Sequence, residues 1–285
     1  MNKAVSEIQP RFRFSIRHSL IPFILISLVF LPVSVFAEEK KEQPVKPDDK
    51  DHPLQEIWSG IHYAAPDVKS LQADPAKNPG YAWILRGAEL WKTPDGEQKK
   101  SCSSCHNKAE VSMKGVGTRY PLFYEAKGAL INLEDRVNLC RRKFMKAPLF
   151  SKESEELLAL TAYVKNQSLG TPLKVKIQGP TKPFFDKGKK LYYTRRGQLN
   201  LSCANCHEQN AGKNLRSTTL TQGHSNGYPA YRLSWEKVGS LGRRINTCNS
   251  IIRATPLFSD DIKSLELYLA WRGKGLPVET PAVRP

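Results

Sequence analysis

The sequence predicts an all-α protein made of two tandem domains related by internal duplication. Blocks of sequence recur at a separation of about a hundred residues, a period that indicates two homologous domains rather than a solenoid of short repeats. The apolar residues of the longer segments recur with a helical period, and almost no stretch alternates with the period of two expected of a half-buried strand. We therefore expect two helical domains of similar design.

The first 37 residues resemble a secretory signal peptide. Arg11, Arg13 and Arg17 form a basic region, residues 20–33 are an apolar run shorter than a confident membrane span, and Ala37 ends a small-residue cleavage site. The alternative is an uncleaved anchor, but the charged segment that follows disfavours it. We therefore expect a periplasmic protein with no stable membrane span after cleavage.

The composition is strongly basic. The formal net charge is +17 and falls to +14 when residues 1–37 are removed. On an exported protein this charge excludes a role with nucleic acid and favours an anionic substrate, an acidic protein partner or anionic cofactors. A basic surface that only confers solubility is the alternative. Residues 38–60 are charged and contain proline, which predicts an extended or mobile polar lead-in.

Three matched spacings define the repeats, which we place at residues 61–175 and 176–285. Gly87 and Gly188 each lie fifteen positions before a cysteine motif, and Arg-x-Asn-x-Cys occurs at 136–140 and 244–248, each time with Pro-Leu-Phe beginning eight positions after the cysteine. Helices are predicted over about 81–92 and 183–194, and the boundary falls in the Gly- and Pro-containing segment 170–183. Ser151 and Ser259 precede the closing helices in positions typical of N-caps.

Each repeat contains the sequence C-x-x-C-H, which is the attachment sequence of haem c. Cys102 and Cys105 with His106, and Cys203 and Cys206 with His207, are the two copies. Two thiols at this spacing reach the two vinyl groups of one porphyrin, and the adjacent histidine becomes an axial ligand of the iron. A redox-active cysteine pair or half of a zinc site are alternatives, but two copies in repeated domains favour two haem c groups.

The sixth iron ligands are predicted from the matched cysteines. No methionine follows Cys206, so an ordinary His/Met centre is excluded in the second repeat unless a ligand comes from the first. His224 and Cys248 are candidates there, and Cys140, Met145 and His62 are candidates in the first repeat. Because Cys140 and Cys248 occupy equivalent positions, we assign both as thiolate ligands. Inert buried cysteines, or a disulfide between the two, are the alternatives.

A thiolate ligand changes what the second haem is suited for. Thiolate favours ferric iron and lowers the potential, and a deprotonated sulfur is also the reactive form of cysteine. Arg244 lies one helical turn before Cys248, where its guanidinium could bind a small oxyanion; binding a haem propionate is the alternative, and is our preferred role for Arg243. A basic mouth is expected from five residues: Lys187, Lys190, Arg232, Arg243 and Arg244.

These residues resemble the SoxA family, subunits of the SoxAX cytochromes of bacterial thiosulfate oxidation. The stretch TQGHSNGYPAYRLSWEKVGSLGRRINTC, residues 221–248, carries much of the likeness. The resemblance implies two cytochrome c-like domains and conjugation of thiosulfate to a cysteine of the SoxYZ carrier, with two electrons leaving through SoxX, the heterodimer partner, to a small c-type cytochrome. It further implies that Cys248 carries a persulfide intermediate and that Arg244 binds substrate. The intact first motif places the chain with dihaem members.

Two other functions are compatible with the motifs. A dihaem electron carrier without chemistry of its own would need an accessible potential and a Met or His sixth ligand, such as Met145 or His224. A dihaem peroxidase would need an open or releasable sixth position. The ligand set of the second haem therefore distinguishes these functions from sulfur transfer.

Overall fold

Residues 42–285 are described by a computed structural model. The signal peptide predicted at residues 1–37 lies outside the described residues. Within 42–285, no helix is both long and apolar enough to cross a membrane.

Ten α-helices form the framework of the described chain. They are α1 Pro66–Ala73, α2 Tyr81–Lys92, α3 Ser103–His106, α4 Ala109–Ser112, α5 Leu133–Cys140, α6 Glu155–Asn166, α7 Lys182–Tyr193, α8 Cys203–His207, α9 Leu241–Ile251 and α10 Ser259–Arg272. A π-helical turn, Arg141–Met145, follows α5. Helices α2 and α7 confirm the helices predicted from the periodicity. The order of α2, α3, α5 and α6 in the first half is repeated by α7, α8, α9 and α10 in the second.

Short strands are also present, so the all-α prediction was incomplete. They are β1 Leu122–Tyr124, β2 Ala129–Ile131, β3 Asn214–Leu215, β4 Thr218–Thr219, β5 Ala230–Arg232, β6 Lys237–Gly239 and β7 Ala282–Arg284. Strands β1 and β2 form an antiparallel hairpin, as do β3 and β4, while β5 pairs antiparallel with β6 and parallel with β7. Strands of two or three residues are too short to show a period of two in the sequence.

The repeated glycines lie where two helices cross closely. A side chain at Gly87 on α2 would collide with the backbone of Ala159 on α6, and one at Gly188 on α7 would collide with the backbone of Ser264 on α10. In both repeats, the helix that precedes the cysteine motif therefore crosses the closing helix at its glycine. Each helix pair borders its own apolar core, with Trp91 and Tyr163 in the first and Tyr192, Tyr268 and Trp271 in the second.

The N-caps of the closing helices differ from the prediction. Ser154, not Ser151, caps α6, since its side chain accepts a hydrogen bond from the Leu157 amide at 3.3 Å. Helix α10 begins at Ser259 itself, and Phe258 is its N-cap. In SKES both serines precede acidic residues, and Ser154 directly precedes the two glutamates of the first turn, so the sequence pattern alone did not separate them.

The described part of the lead-in is packed rather than mobile. Val45 and Ile57 form an isolated antiparallel bridge, and Ile57 is 1% exposed. The ring of His52 is hydrogen-bonded through Nε2 to the Arg272 carbonyl oxygen at 3.1 Å, and Lys274 pairs with Asp48 at 2.7 Å. These contacts hold residues 45–57 against the end of α10.

The two halves meet across a polar cluster. The Asn132 amide donates to Glu266 at 3.2 Å, and the Lys165 ammonium donates to the Ser225 carbonyl at 3.4 Å. These groups surround a small cavity of about 50 Å³ together with Glu134 and Thr161. The segment after α6 is joined to the C-terminal segment, for example by the Gly170 amide donating to the Val278 carbonyl at 2.9 Å. Residues 42–285 thus form one packed unit, and the boundary at 170–183 remains a prediction.

Candidate active site

A large cavity lies in the second half, around Cys248. Its volume is about 240 Å³. The cavity brings together both thiols of the second C-x-x-C-H motif, the ring of His207, Cys248 and Arg244. These are the five residues that the sequence assigns to the second site. The structure therefore brings all five residues together at one site.

Helix α9 positions Arg244 and Cys248 on one face. Ser240 begins the helix, with its side chain accepting a hydrogen bond from the Arg243 amide at 3.0 Å. Arg244 and Cys248 lie four residues apart, so one helical turn separates them and both side chains point the same way. The helical spacing that the sequence predicted is therefore present, and both side chains face the cavity.

Helix α8 and the loop after β4 fix the ring of His207. Ser202 and Asn205 form a capping box at the start of α8. The Nδ1 atom of His207 is 2.8 Å from the Thr221 carbonyl oxygen, so Nδ1 carries the proton and Nε2 is free to act as a ligand. Gly223 packs on the same ring: a Cβ at this position would lie 2.9 Å from the His207 Cγ atom.

The electrostatic environment lowers the pKa of Cys248 relative to the neighbouring thiols. Burial raises the pKa of the Cys248 thiol, but the neighbouring His207 and the charges of Arg244 and Arg232 outweigh burial and bring the pKa to about 7. By contrast, burial and the nearby Cys248 sulfur raise the pKa of Cys203 to about 12. Cys248 is therefore the thiol of this site most readily present as thiolate.

The residues of this cavity fit a haem c group by the chemistry of their donors. Cys203 and Cys206 supply the two thiols for covalent attachment, and His207 has a free ring nitrogen held in place by Thr221. Cys248 lines the same cavity close to His207, so its sulfur would supply a second iron ligand. Apolar side chains, including Leu265 and Leu269, line the remaining wall.

The first motif has a similar but more exposed arrangement. Cys140 ends α5 and lies close enough to Cys102 and Cys105 for the thiols to affect each other's pKa. The pKa of Cys102 is raised to about 11, mainly by burial and to a smaller extent by Cys140. His106 and Cys105 are exposed. All six cysteines lie in the described part of the chain and no two of them are joined by a disulfide, so the alternative of a Cys140–Cys248 disulfide is not formed.

Only part of the predicted basic mouth faces the cavity. Arg232 and Arg244 line it. Lys187 instead pairs with Asp261 at 2.6 Å, and the Arg243 guanidinium lies 4.2 Å from the centre of the Trp235 ring. Lys187, Lys190 and Arg243 are not among the residues that line the cavity. The sequence could not separate these groups, because charge alone does not reveal which face of a helix is turned inward.

Several lining residues were not predicted. Residues 60 and 63–65, the 215–221 loop and Arg284 on β7 all border the cavity. They come from distant parts of the chain, and no motif marks them. His224, considered as a ligand, also lines the cavity, but it is buried with its Nε2 atom 3.1 Å from the Gln222 side-chain oxygen. In this structure its Nε2 is therefore already engaged.

The fold and this site define a protein built on cytochrome c domains. A sequence model described as the SoxA/TsdA cytochrome c domain matches residues 86–173 and again residues 187–278. The two matches follow the repeat seen in the sequence. A cytochrome c domain implies haem c as the cofactor.

Comparison with similar proteins identifies the family within the class of proteins built on cytochrome c domains. The chain is 44% identical over 236 residues to the L-cysteine S-thiosulfotransferase subunit SoxA of Pseudaminobacter salicylatoxidans, covering 82% of each chain. It is 40% identical over 230 residues to the subunit of the same name from Paracoccus pantotrophus, covering 80% of this chain and 79% of that one. The crystal structure of SoxXA from P. pantotrophus contains a chain with a TM-score of 0.79 and 39% identity, covering 82% of this chain and 89% of that chain. The chain belongs to the SoxA family.

Proposed function

We propose that this protein is the catalytic dihaem subunit of an L-cysteine S-thiosulfotransferase. It conjugates thiosulfate oxidatively to a cysteine of a SoxYZ-type carrier protein and passes two electrons through a SoxX-type cytochrome subunit to a small c-type cytochrome. One observation carries the proposal: Cys248 and Arg244 lie one helical turn apart and face the same cavity as Cys203, Cys206 and His207. The names of the similar proteins support the same activity.

The chemistry balances in two steps. In the first, the Cys248 thiolate and thiosulfate form an S–S bond, giving Cys248–S–S–SO₃⁻ and releasing two electrons. In the second, the carrier cysteine thiolate attacks the sulfane sulfur, forms the carrier–S–S–SO₃⁻ product and regenerates the Cys248 thiolate. The overall change is carrier–SH plus thiosulfate to carrier–S–S–SO₃⁻, one proton and two electrons. The haem c group supplies the one-electron redox chemistry when bound.

The chain's own residues prepare these steps. Arg244 holds the sulfonate oxygens by charge-assisted hydrogen bonds and so orients the terminal sulfur toward Cys248. The positive charges of Arg244 and Arg232 and the neighbouring His207 favour the thiolate form of Cys248, which is the form that is oxidised together with thiosulfate and that leaves when the carrier thiolate attacks. The Thr221 carbonyl oxygen fixes the tautomer of His207 through Nδ1.

The proposal includes a second haem c in the first repeat. Cys102 and Cys105 would attach it, and His106 and Cys140 would be its axial ligands. Its support is the equivalent placement of Cys140 beside the first cysteine motif. The first repeat offers a less enclosed site, and we assign the sulfur chemistry to the second repeat alone. Export to the periplasm, where such partners would meet, rests on the N-terminal signal sequence.

The experiment is a conjugation assay with the haem-loaded protein, its cytochrome partner, a reduced SoxYZ carrier and thiosulfate. The mass of the carrier should increase by that of one thiosulfate group, with two equivalents of cytochrome c reduced. Cys248→Ser should abolish both readouts, and Cys140→Ser should retain carrier conjugation. Conjugation by Cys248→Ser at the normal rate would contradict the proposal. A wild-type protein that exchanges electrons with its cytochrome partner but does not conjugate thiosulfate would favour a dihaem electron carrier, the alternative function.

A further inference from the structure

The two halves differ at the arginine that precedes the ligand cysteine. In the first half, Arg136 is occupied by neighbours: its Nε atom donates to the Tyr120 hydroxyl at 3.3 Å, and its guanidinium lies 4.8 Å from the centre of the Tyr124 ring. In the second half, no hydrogen bond or ion pair to another described residue holds the guanidinium of Arg244. The arginine of the first half is thus bound by neighbouring side chains, whereas the equivalent arginine of the second half can bind a ligand.

The two halves also differ at one position on a strand that faces this arginine. Tyr124 ends β1, and Arg232 ends the equivalent strand β5, each four residues after the tyrosine of a Tyr-Pro pair. The stacking partner of the first half is therefore replaced by a second cation in the other. Arg232 lines the cavity with Arg244 and Cys248, and the three groups are close enough to interact electrostatically.

Arg232 is buried without a matching anion. Its side chain is 7% exposed, and its Nε atom has no hydrogen-bond partner among the described residues. No described carboxylate lies within ion-pair distance of Arg232 or Arg244, whereas Arg284, also at the cavity, pairs with Glu279 at 2.8 Å. Because the buried Nε atom of Arg232 is costly to leave without a partner, and the half-buried guanidinium of Arg244 is paired with no described residue, these two arginines favour a bound anion.

The Trp235 side chain holds Arg232 in place. The Arg232 guanidinium lies 5.2 Å from the centre of the Trp235 ring, and that of Arg243 lies 4.2 Å from it. The Trp235 ring is therefore contacted by two arginines, and only Arg232 lines the cavity. This arrangement provides a matched control, since Arg243 has the same charge and the same aromatic neighbour.

We propose that Arg232 is a second substrate-binding residue, which together with Arg244 forms a two-arginine site for the doubly charged oxyanion. This inference rests on the proposed function, because thiosulfate is its substrate. Two guanidinium groups match two negative charges and supply enough donors for a tetrahedral sulfonate group. The first half, with tyrosine in place of Arg232, cannot form the same site. That difference confines oxyanion binding to the second half.

The test measures anion binding and turnover separately on the haem-loaded protein with its cytochrome partner. Arg232→Gln and Arg232→Tyr should each weaken thiosulfate binding in calorimetry and raise KM by about tenfold or more. Arg232→Lys should recover part of the affinity. Arg243→Gln should change Kd and KM by less than about threefold, as expected for a screened charge outside the cavity. Sulfate has no sulfane sulfur, and its affinity should rank the wild-type protein and these variants in the same order as the affinity for thiosulfate does.

A haem carboxylate is the other anion that Arg232 could bind. Haem spectra and reduction potentials distinguish this role from substrate binding. If Arg232→Gln lowers haem content or shifts the potential while Kd and KM stay unchanged, Arg232 binds the haem carboxylate and the inference is wrong. Unchanged binding, turnover and spectra would also overturn it. If the wild-type protein binds both anions through Arg232 but does not conjugate thiosulfate, the oxyanion site is retained and the proposed function fails.

Discussion

Cys248 on α9 and His207 on α8 line the same cavity, and His207 lies close enough to lower the pKa of the Cys248 thiol. The Nδ1 atom of His207 is already engaged by the Thr221 carbonyl oxygen at 2.8 Å, so the Nε2 atom is the ring nitrogen that remains available as a ligand. Together the ring nitrogen and the thiolate are the two donors that would hold one haem c iron. The predictions below test how the fold maintains this pair and the two halves around it.

The first prediction concerns Gly223, which packs on the ring of His207. An alanine Cβ would approach the ring Cγ at 2.9 Å, and the backbone φ of +77° is unfavourable for a side chain. Gly223→Ala should therefore displace the ring, alter the ferric absorption spectrum of the second haem and shift its reduction potential.

Gly170→Ala is the control, because Gly170 has a similar φ of +75° but would place its Cβ with nothing within 4 Å. It should lose about 1 kcal/mol of unfolding free energy from backbone strain alone and leave the spectrum unchanged. Equal spectra for both variants would show that Gly223 does not position the ligand.

The second prediction concerns the pH dependence of stability at the polar cluster. Burial and then the charge of Glu134 raise the pKa of Glu266 from its ordinary value near 4.5 to about 8. The folded state therefore binds a proton more tightly than the unfolded state, and this contribution to stability is lost as pH rises from about 5 to 8. Burial also raises the pKa of Glu134, in the same direction. Lys165, whose pKa burial lowers to about 8, acts in the opposite direction mainly above that pH.

Glu266→Gln should thus be more stable than wild type at pH 8, by about 2 kcal/mol, and should show a smaller loss of stability between pH 5 and 8. Urea unfolding of the haem-loaded protein at several pH values provides the measurement. Glu155→Gln, at an exposed position in the first turn of α6, is the matched control and should follow the wild-type curve. If the unfolding free energy of Glu266→Gln changed with pH in parallel with that of wild type, the raised pKa of Glu266 would be contradicted.

The third prediction concerns the crossing of α7 and α10. A Cβ at Gly188 would collide with the Ser264 backbone and lie 3.1 Å from the Tyr268 Cβ atom. Since backbone atoms cannot move aside as a flexible side chain can, Gly188→Ala should separate the helices and lower the unfolding free energy by about 2 kcal/mol or more. Lys189→Ala, at an exposed position on the same helix, should change it by less than about 0.5 kcal/mol. Thermal unfolding of both variants distinguishes a close helix contact from a simple change in helix propensity.

The sequence predicts the parts of this protein that depend on local spacing. The second cysteine motif and the turn from Arg244 to Cys248 are local patterns, and their common location was predicted. Gly87 and Gly188 marked the repeat in the sequence, but the close helix crossings at these glycines were not predicted. The 215–221 loop, the packing of residues 45–57 and the role of Arg284 depend on contacts between distant segments, for which the sequence has no local signal. The short strands were missed because two or three residues do not establish a period.

Arg232 illustrates the same limit within the site. Its charge was noticed, but its burial becomes visible only in the structure. The contrast with Tyr124, which also lies four residues after the tyrosine of a Tyr-Pro pair, is present in the sequence and was missed. The serines of SKES show that a correct principle, capping by serine, can still select the wrong one of two nearby residues.

The most direct test of the account is the ligand set of the second haem. Near-infrared absorption and low-temperature EPR spectra of the ferric, haem-loaded protein should show thiolate ligation at both haems. Cys248→Ser should remove the thiolate signature of the second haem while leaving that of the first. A methionine or bis-histidine signature at the second haem of the wild-type protein would contradict the account, because Cys248 would then not be an iron ligand.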